Sequence, residues 1–370
     1  MGRLLQAIAA FLTVVTVTLA AAIGVTAGVA SAAAVTPLQI WMNSAGSDRN
    51  GGTSAADGVL TFRRVQQILC PSTPCIGKGR PVEVRIVPGE YVSPVDEANS
   101  FWTYFDDRQP TTFMPAEYQA GWTWANVASH GGRPSFDGHH RPGYGFNFRP
   151  ARVSSTGRTN LRFIYLQFEG YPQGAVSMEG QLINTDVVRP GARTADGNTF
   201  YGNMFTDIGN YSDPAAPFGY AGISLRNSRR NEIANNHFID LRNAEGGQHE
   251  PWAIHAVYMS HDSDGNLIHH NSFTSISGDA IRVRNGSDNN VLEQNTFTST
   301  GNYGYLGDWY CEPTNSCTPK ELPSYGNRLV SNTFRGPYEG GLPAFRPDFC
   351  YDLFAATAGD CPVGRMDVTP

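Results

Sequence analysis

Between Asn198 and Phe334 the apolar residues recur in one fixed frame, Asn-x-apolar-x-x-Asn-x-Phe, five times over. The copies start at Asn198, Asn231, Asn266, Asn290 and Asn327, which lie 33, 35, 24 and 37 residues apart, and end on Phe205, Phe238, Phe273, Phe297 and Phe334. A self-similar unit at such a period marks a solenoid. Each unit is short, β-branched and aromatic, with Gly and Asn at its edges, and so predicts strand-turn-strand. Helical repeats would need apolar-periodic runs of about ten residues or more. No run between these units is long enough, or free enough of Asn and Gly, to supply one.

Stacking gives the pattern its physical reason. Coils of a β-solenoid pair edge to edge about 4.8 Å apart, so like side chains lie above one another. The five Phe then form one aromatic file in the core. Asn suits the corners, because its short amide tolerates left-handed backbone and bonds locally. Stacked amides also bond between coils. The 24-residue step fits one minimal coil; the longer steps imply loops inserted on one face.

Residues 1–34 read as a secretory signal peptide. Arg3 is followed by an apolar run from Leu4 to Ala30, and then by A-x-A sites at Ala30-Ser31-Ala32 or Ala32-Ala33-Ala34. A retained membrane anchor is the alternative. Past this segment no stretch is apolar enough to span a bilayer, and the expected location is extracellular. The chain has 27 basic and 33 acidic residues, a net charge of −6, which argues against a general nucleic-acid or anionic-membrane binder. Six cysteines fall in three close pairs, Cys70 with Cys75, Cys311 with Cys317 and Cys350 with Cys361, and in an exported chain these read as disulfides. A zinc site is the rival, but no pair has C-x-x-C spacing and no His lies at ligand spacing.

The opening carries Gly46-Ser-Asp48-Arg-Asn50-Gly-Gly-Thr53, an amphipathic run Phe62–Leu69, a strand from Val82, and Pro88-Gly89-Glu90-Tyr91. This opening resembles the start of secreted right-handed parallel β-helix proteins of the pectate-lyase-like superfamily. The resemblance covers about Ile40 to Phe334 in outline. It implies an all-β fold, a single-stranded right-handed parallel β-helix, with the short helix 62–69 capping the open first coil. An uncovered end coil would expose unpaired backbone and core, so such a cap is also physically required. The sequence departs from the family at Gly58-Val-Leu, where a Pro usually precedes the helix. Residues 35–370 are thus expected to form one domain, acting as a monomer. Within it, 337–370 would be a C-terminal cap. The aromatic insertion 96–130 would be either a loop packed on the flank or a groove wall where rings stack on sugars.

Aligning the strands that precede each unit superposes Ile223-Ser224-Leu225-Arg226, Val257-Tyr258-Met259-Ser260 and Ile281-Arg282-Val283-Arg284. Alternation sends Ser224, Tyr258 and Arg282 outward in one file and Arg226, Ser260 and Arg284 in the next. His255 and Asp279 lie just upstream. The inserted loops bring Glu245, His249, Glu250 and Trp252, and the following coil brings Tyr303, Tyr305, Asp308 and Trp309. Loops beside a basic, aromatic strip make a groove.

The chemistry this suggests is β-elimination on an extracellular polysaccharide that contains uronic acid. Arg282 and Arg284 would grip the carboxylate, with Arg226, Glu245, His249, Glu250, Tyr305, Asp308 and Trp309 around the sugar. Tyr258 or His255 would be the base, and Asp279 completes the cluster. The resemblance also implies that some relatives use a Lys base or Ca2+. Lys78 and Lys320 lie outside the aligned strands. Calcium would call on Asp106, Asp107 and Asp137, and no metal ligand is assigned. A glycoside hydrolase using Asp279 and Asp308, or Glu245 or Glu250 from the loop, is the alternative. A non-catalytic glycan-binding β-helix is the third reading. His139, His140, His261, His269 and His270 read as surface or corner residues.

Overall fold

The structure is a computed structural model. It describes residues 35–72, 74–92, 101–141, 143–149, 158–182, 193–245, 251–310, 321–339, 346–352, 357–359, 361 and 364–369. Residues 1–34, expected to be a signal peptide, His249, Glu250 and the Cys311–Cys317 pair lie outside these residues.

Three sheets of ten, nine and eight strands run along the described chain, each strand pairing in parallel with its counterpart one coil away except Thr357–Gly359, an antiparallel edge strand beside Arg346–Asp352. The fold is a right-handed parallel β-helix. The sequence frame explains its core. Phe136, Phe168, Phe205, Phe238, Phe273, Phe297 and Phe334 stack face to face with centroids 4.7–5.6 Å apart. A second file in the neighbouring sheet passes from Phe113, Phe163 and Phe200 to Ile233, Ile268, Leu292 and Leu329. The helix spans Phe62–Leu69, capped by the Thr61 hydroxyl, which accepts from the Arg64 N–H at 3.2 Å. It buries Phe62, Val65 and Leu69, and the Phe62 ring stacks on Phe136 at 4.8 Å. Asp48 gives the opening motif its purpose: its carboxylate accepts from the Leu60 and Thr61 N–H groups and from the Thr61 hydroxyl.

The motif asparagines do something other than supply left-handed backbone. That conformation falls on the residue just before each of them: Gly197, Arg230, Gly265, Asn289 and Gly326 before the first Asn, and Gly202, Asn235, His270, Gln294 and Ser331 before the second. The asparagines themselves are turned inward as two ladders. Each Oδ1 accepts both the backbone N–H and the Nδ2 of the Asn one coil earlier, as Asn266 does from Asn231 at 3.0 and 2.7 Å. The same double bond recurs along Asn203, Asn236, Asn271, Asn295 and Asn332. The corner backbone is thereby satisfied without water.

Two segments depart from expectation. Residues 101–130 are part of the coil system as well as its flank: Thr111–Pro115 is an interior strand of the ten-stranded sheet, and Trp102, Tyr104 and Phe105 are core. Trp122 packs with Val127 and Tyr165 in a separate cluster, while Trp124 stacks on His237 at 3.6 Å and carries the Arg133 guanidinium on its face. The C-terminal segment continues the sheets it was expected to cover. Arg346–Asp352 extends the nine-stranded sheet, and Met366–Thr369 pairs with Asn327–Val330. Disulfides join Cys70 to Cys75 and Cys350 to Cys361.

Arg365 in that segment pairs with the fully buried Asp308, which also accepts from the Ser324 N–H at 3.0 Å. Arg365→Met should therefore strand a buried carboxylate and cost about 3–5 kcal/mol. Urea titration checks this, and a loss below about 1 kcal/mol would mean that Asp308 finds another partner.

Candidate functional site

The site lies on the outer face of the nine-stranded sheet, and the registers of three strands position it. Ser224 lies opposite Tyr258, and Tyr258 opposite Arg282; Arg226 lies opposite Ser260, and Ser260 opposite Arg284. Ile223, Leu225, Val257, Met259, Ile281 and Val283 point inward and are fully buried. Upstream, Ala256 and Val257 both donate to the Ala280 carbonyl and both belong to the core, while the His255 ring meets Arg282.

A cavity of about 310 Å³ opens on this face, lined by Tyr144, Tyr220, Tyr258, Arg226, Arg284 and Glu321, with Ser224, Ser260 and His261 completing the wall. Tyr258 is partly exposed and shares this wall with Arg284. Arg284 Nε donates to both Glu321 oxygens at 2.8 Å. Burial works against its charge, but Tyr258 and Glu321 together hold its pKa above the ordinary arginine range. Arg226 and Arg149 share Glu179, at 3.4 and 3.9 Å. Desolvation raises the Tyr144 and Tyr220 phenols above their usual range. His261 is almost buried and its Nδ1 lies 2.9 Å from Ser260 Oγ.

Behind this wall a closed chain of contacts fixes Arg282. Its Nη1 donates to His255 Nε2 at 3.1 Å, and His255 Nδ1 lies 2.7 Å from the Asp279 carbonyl. The guanidinium sits 3.9 Å from the Trp309 ring centre and 5.4 Å from that of Tyr258. Trp309 Nε1 donates to Asp279 Oδ2 at 3.2 Å, while Asp279 Oδ1 accepts from the Tyr303 and Gly304 N–H groups. Burial drives the His255 pKa well below the ordinary range, reinforced by Arg282, so its imidazole is neutral, with Nδ1 protonated toward the carbonyl. Desolvation lowers the Arg282 pKa to about 10.

Asp279 is pushed up to about 7 by burial, against the opposing pull of its N–H donors and Arg282. Between the aspartate value of 3.8 and about 7, the folded protein keeps a proton that the unfolded chain has lost. The contribution is present at low pH and lost as pH rises through about 7. Wild-type stability should accordingly fall more steeply between pH 5 and pH 8 than that of Asp279→Asn, as read by urea midpoints across that range; parallel curves would contradict the assignment.

Several residues expected at the sugar are elsewhere. Asp308 lies opposite the inward-facing Val283 and pairs with Arg365 in the interior. Tyr305 is core, stacked on Phe334 at 4.5 Å. His255 and Asp279 are 1% and 0% exposed, so neither reaches a substrate, and Asp279 with Asp308 cannot flank a glycosidic bond. Trp309 is buried beneath Arg282, and Glu245 is exposed away from the cavity lining. No described residue of 96–130 lines the cavity.

The three calcium candidates do not converge. Asp106 spends its carboxylate on the Gly79, Arg108 and Gln109 N–H groups, and Asp137 lies beside Glu90 and His139 in the eight-stranded sheet. Asp107 lines a different hollow, with Arg158, Asp196 and Arg230. Four cavity residues went unforeseen. Tyr144 lies in register with Gly174, and so with the Ala221 and His255 positions, which the coil alignment could have revealed. Tyr220 and Glu321 sit in connections without periodicity, and His261 was placed at a corner on spacing alone.

Residues 175–314 match the family model described as a right-handed β-helix region. A comparison with curated proteins finds no match. Among solved structures, an alginate lyase from Paenibacillus sp. str. FPU-7 is similar with TM-score 0.42 and 13% identity, covering 90% of this chain and 99% of that one. A pectate lyase aligns with TM-score 0.39 and 12% identity over 88% and 82% of the two chains. A lacto-N-biosidase from Eubacterium ramulus aligns with TM-score 0.34 and 8% identity over 85% and 68%. Likenesses this distant carry no argument about chemistry. The match and the strand topology define the class: a right-handed parallel β-helix. No helix among the described residues is long and apolar enough to cross a membrane.

Proposed function

We propose that the chain is an extracellular carbohydrate-active enzyme, a polysaccharide lyase that cleaves a uronic-acid-containing polymer by β-elimination over the nine-stranded sheet. The observation that carries this reading is Tyr258. It is a partly exposed phenol in a polar cavity, on the same wall as Arg284 and with its ring centre 5.4 Å from the Arg282 guanidinium. In the reaction Tyr258 acts as the phenolate, its own proton having gone to solvent beforehand; the C5–H bond breaks and its proton passes to the phenolate oxygen. The released electron pair forms the C4–C5 double bond. The C4–O bond breaks, and the leaving oxygen takes a proton, for which His261 on the same wall is the donor. Fixed guanidinium charge beside Tyr258 meets the charge that shifts during the transfer.

The substrate carboxylate falls to Arg226, one coil before Tyr258. Arg284 is gripped by both Glu321 oxygens at 2.8 Å, more tightly than the 3.4 Å contact of Arg226 with Glu179, and Arg282 is buried under two rings. Hydrolysis by Asp279 and Asp308 is disfavoured by the burial of both. The test is a panel of acidic and neutral polysaccharides read for reducing ends and for ultraviolet absorbance of a new carbon–carbon double bond. Both signals rising on a uronate polymer is the expected result; reducing ends without absorbance would overturn elimination.

Arg226→Ala should lower kcat/KM on that substrate by about 10²-fold, as expected for a lost charge-assisted contact that positions the carboxylate. Steady-state kinetics checks this, and an unchanged kcat/KM would remove Arg226 from the role.

A further inference from the structure

We infer that the sugar seated against the Arg284–Glu321 wall is a neutral one, so that the preferred substrate alternates uronic acid with neutral sugar and is not a homopolymer of uronic acid. This rests on the elimination site placed at Tyr258 above. Strands of successive coils are spaced by about 4.8 Å, close to the length of one sugar residue. A polymer laid along the helix axis therefore meets one coil per sugar. The uronate to be cleaved lies over the Tyr258 strand, and its neighbour lies over the next strand, which carries Arg284.

At that neighbour the wall is a closed ion pair. Glu321 occupies Arg284 through both carboxylate oxygens, at 2.8 Å each. A second carboxylate arriving there would share one guanidinium with Glu321 and meet its negative charge at contact distance. A neutral sugar meets no such repulsion. Its hydroxyls both donate and accept, and the pair offers both kinds of partner: remaining guanidinium N–H groups on Arg284 and lone pairs on Glu321. Charge along the described part of this outer edge is consistent with one carboxylate site and not a row of them. Arg149, Arg226 and Arg284 stand against Glu179 and Glu321.

Titration calorimetry on the full chain carrying Tyr258→Phe measures this without turnover. Its ligands are length-matched oligosaccharides, one set purely uronic and the other alternating uronic with neutral sugars. The alternating set is expected to bind at least tenfold more tightly. Adding Glu321→Gln, which keeps the size but removes the charge, is expected to shrink that ratio at least tenfold by strengthening the purely uronic set. Glu321→Asp, which keeps the charge, is expected to preserve the preference. Equal or tighter binding of the purely uronic set, an unmoved ratio in Glu321→Gln, or binding of neither set would overturn the inference. Alternating oligosaccharides that bind preferentially to the wild type without forming a double bond would leave it standing and contradict elimination alone.

Discussion

Tyr258→Phe should lower the rate of double-bond formation by about 10²–10⁴-fold, the range for a lost general base. The substitution removes one oxygen and little else. The ring still lies over Arg282, and the strand pairing with Ala221–Arg226 and Ile281–Arg284 is untouched. Thermal unfolding should therefore be unchanged within a few degrees, roughly what a change near 1 kcal/mol would cause in a chain of this size. Initial rates by ultraviolet absorbance decide the matter. A variant within tenfold of wild type would show that another group takes the proton.

The second large effect belongs to the fold. Asn266→Leu should destabilise the protein by about 2–9 kcal/mol, from two to three stranded groups at about 1–3 kcal/mol each. Asn266 Oδ1 accepts from both the N–H and the Nδ2 of Asn231, and its own Nδ2 reaches Asn290 Oδ1 at 2.9 Å and the Ser263 carbonyl at 3.0 Å. Leucine keeps the branched shape, with bulkier methyl ends, and supplies none of these bonds, and the position is 1% exposed, so water cannot replace them. Asn235→Ala, beside the ladder and at φ +54, should cost far less, because it loses only the tolerance of Asn for left-handed backbone. Chemical denaturation of the two variants separates the roles. Equal losses would mean that the ladder contributes little.

What was legible in the sequence was whatever repeats. The Phe file, the paired Asn corners, the helix over 62–69 and the outward files through Tyr258 and Arg284 all follow from a period of two within strands and of one coil between them. Non-periodic partners were invisible. Asp308 follows the inward-facing Leu306 by two residues, so alternation already placed it inside. Its buried ion pair was not legible, because the partner, Arg365, lies 57 residues away in a segment without the repeat. Glu321 sits just beyond the inserted segment 311–320, and nothing in its spacing announces the pair with Arg284. His255 stands next to the outward files in the sequence, but the fold seals it between Arg282 and the Asp279 carbonyl, a contact that alternation alone does not reveal.

The measurement that bears most directly on the central claim is a crystal structure of Tyr258→Phe with a uronate-containing oligosaccharide. The sugar chain is expected along the outer face of the nine-stranded sheet, across Ala221–Arg226, His255–Ser260 and Ile281–Arg284, with a carboxylate at Arg226 and a C5 atom facing position 258. An oligosaccharide bound on another face, or lying over this one with its uronate C5 turned away from position 258, would contradict the account.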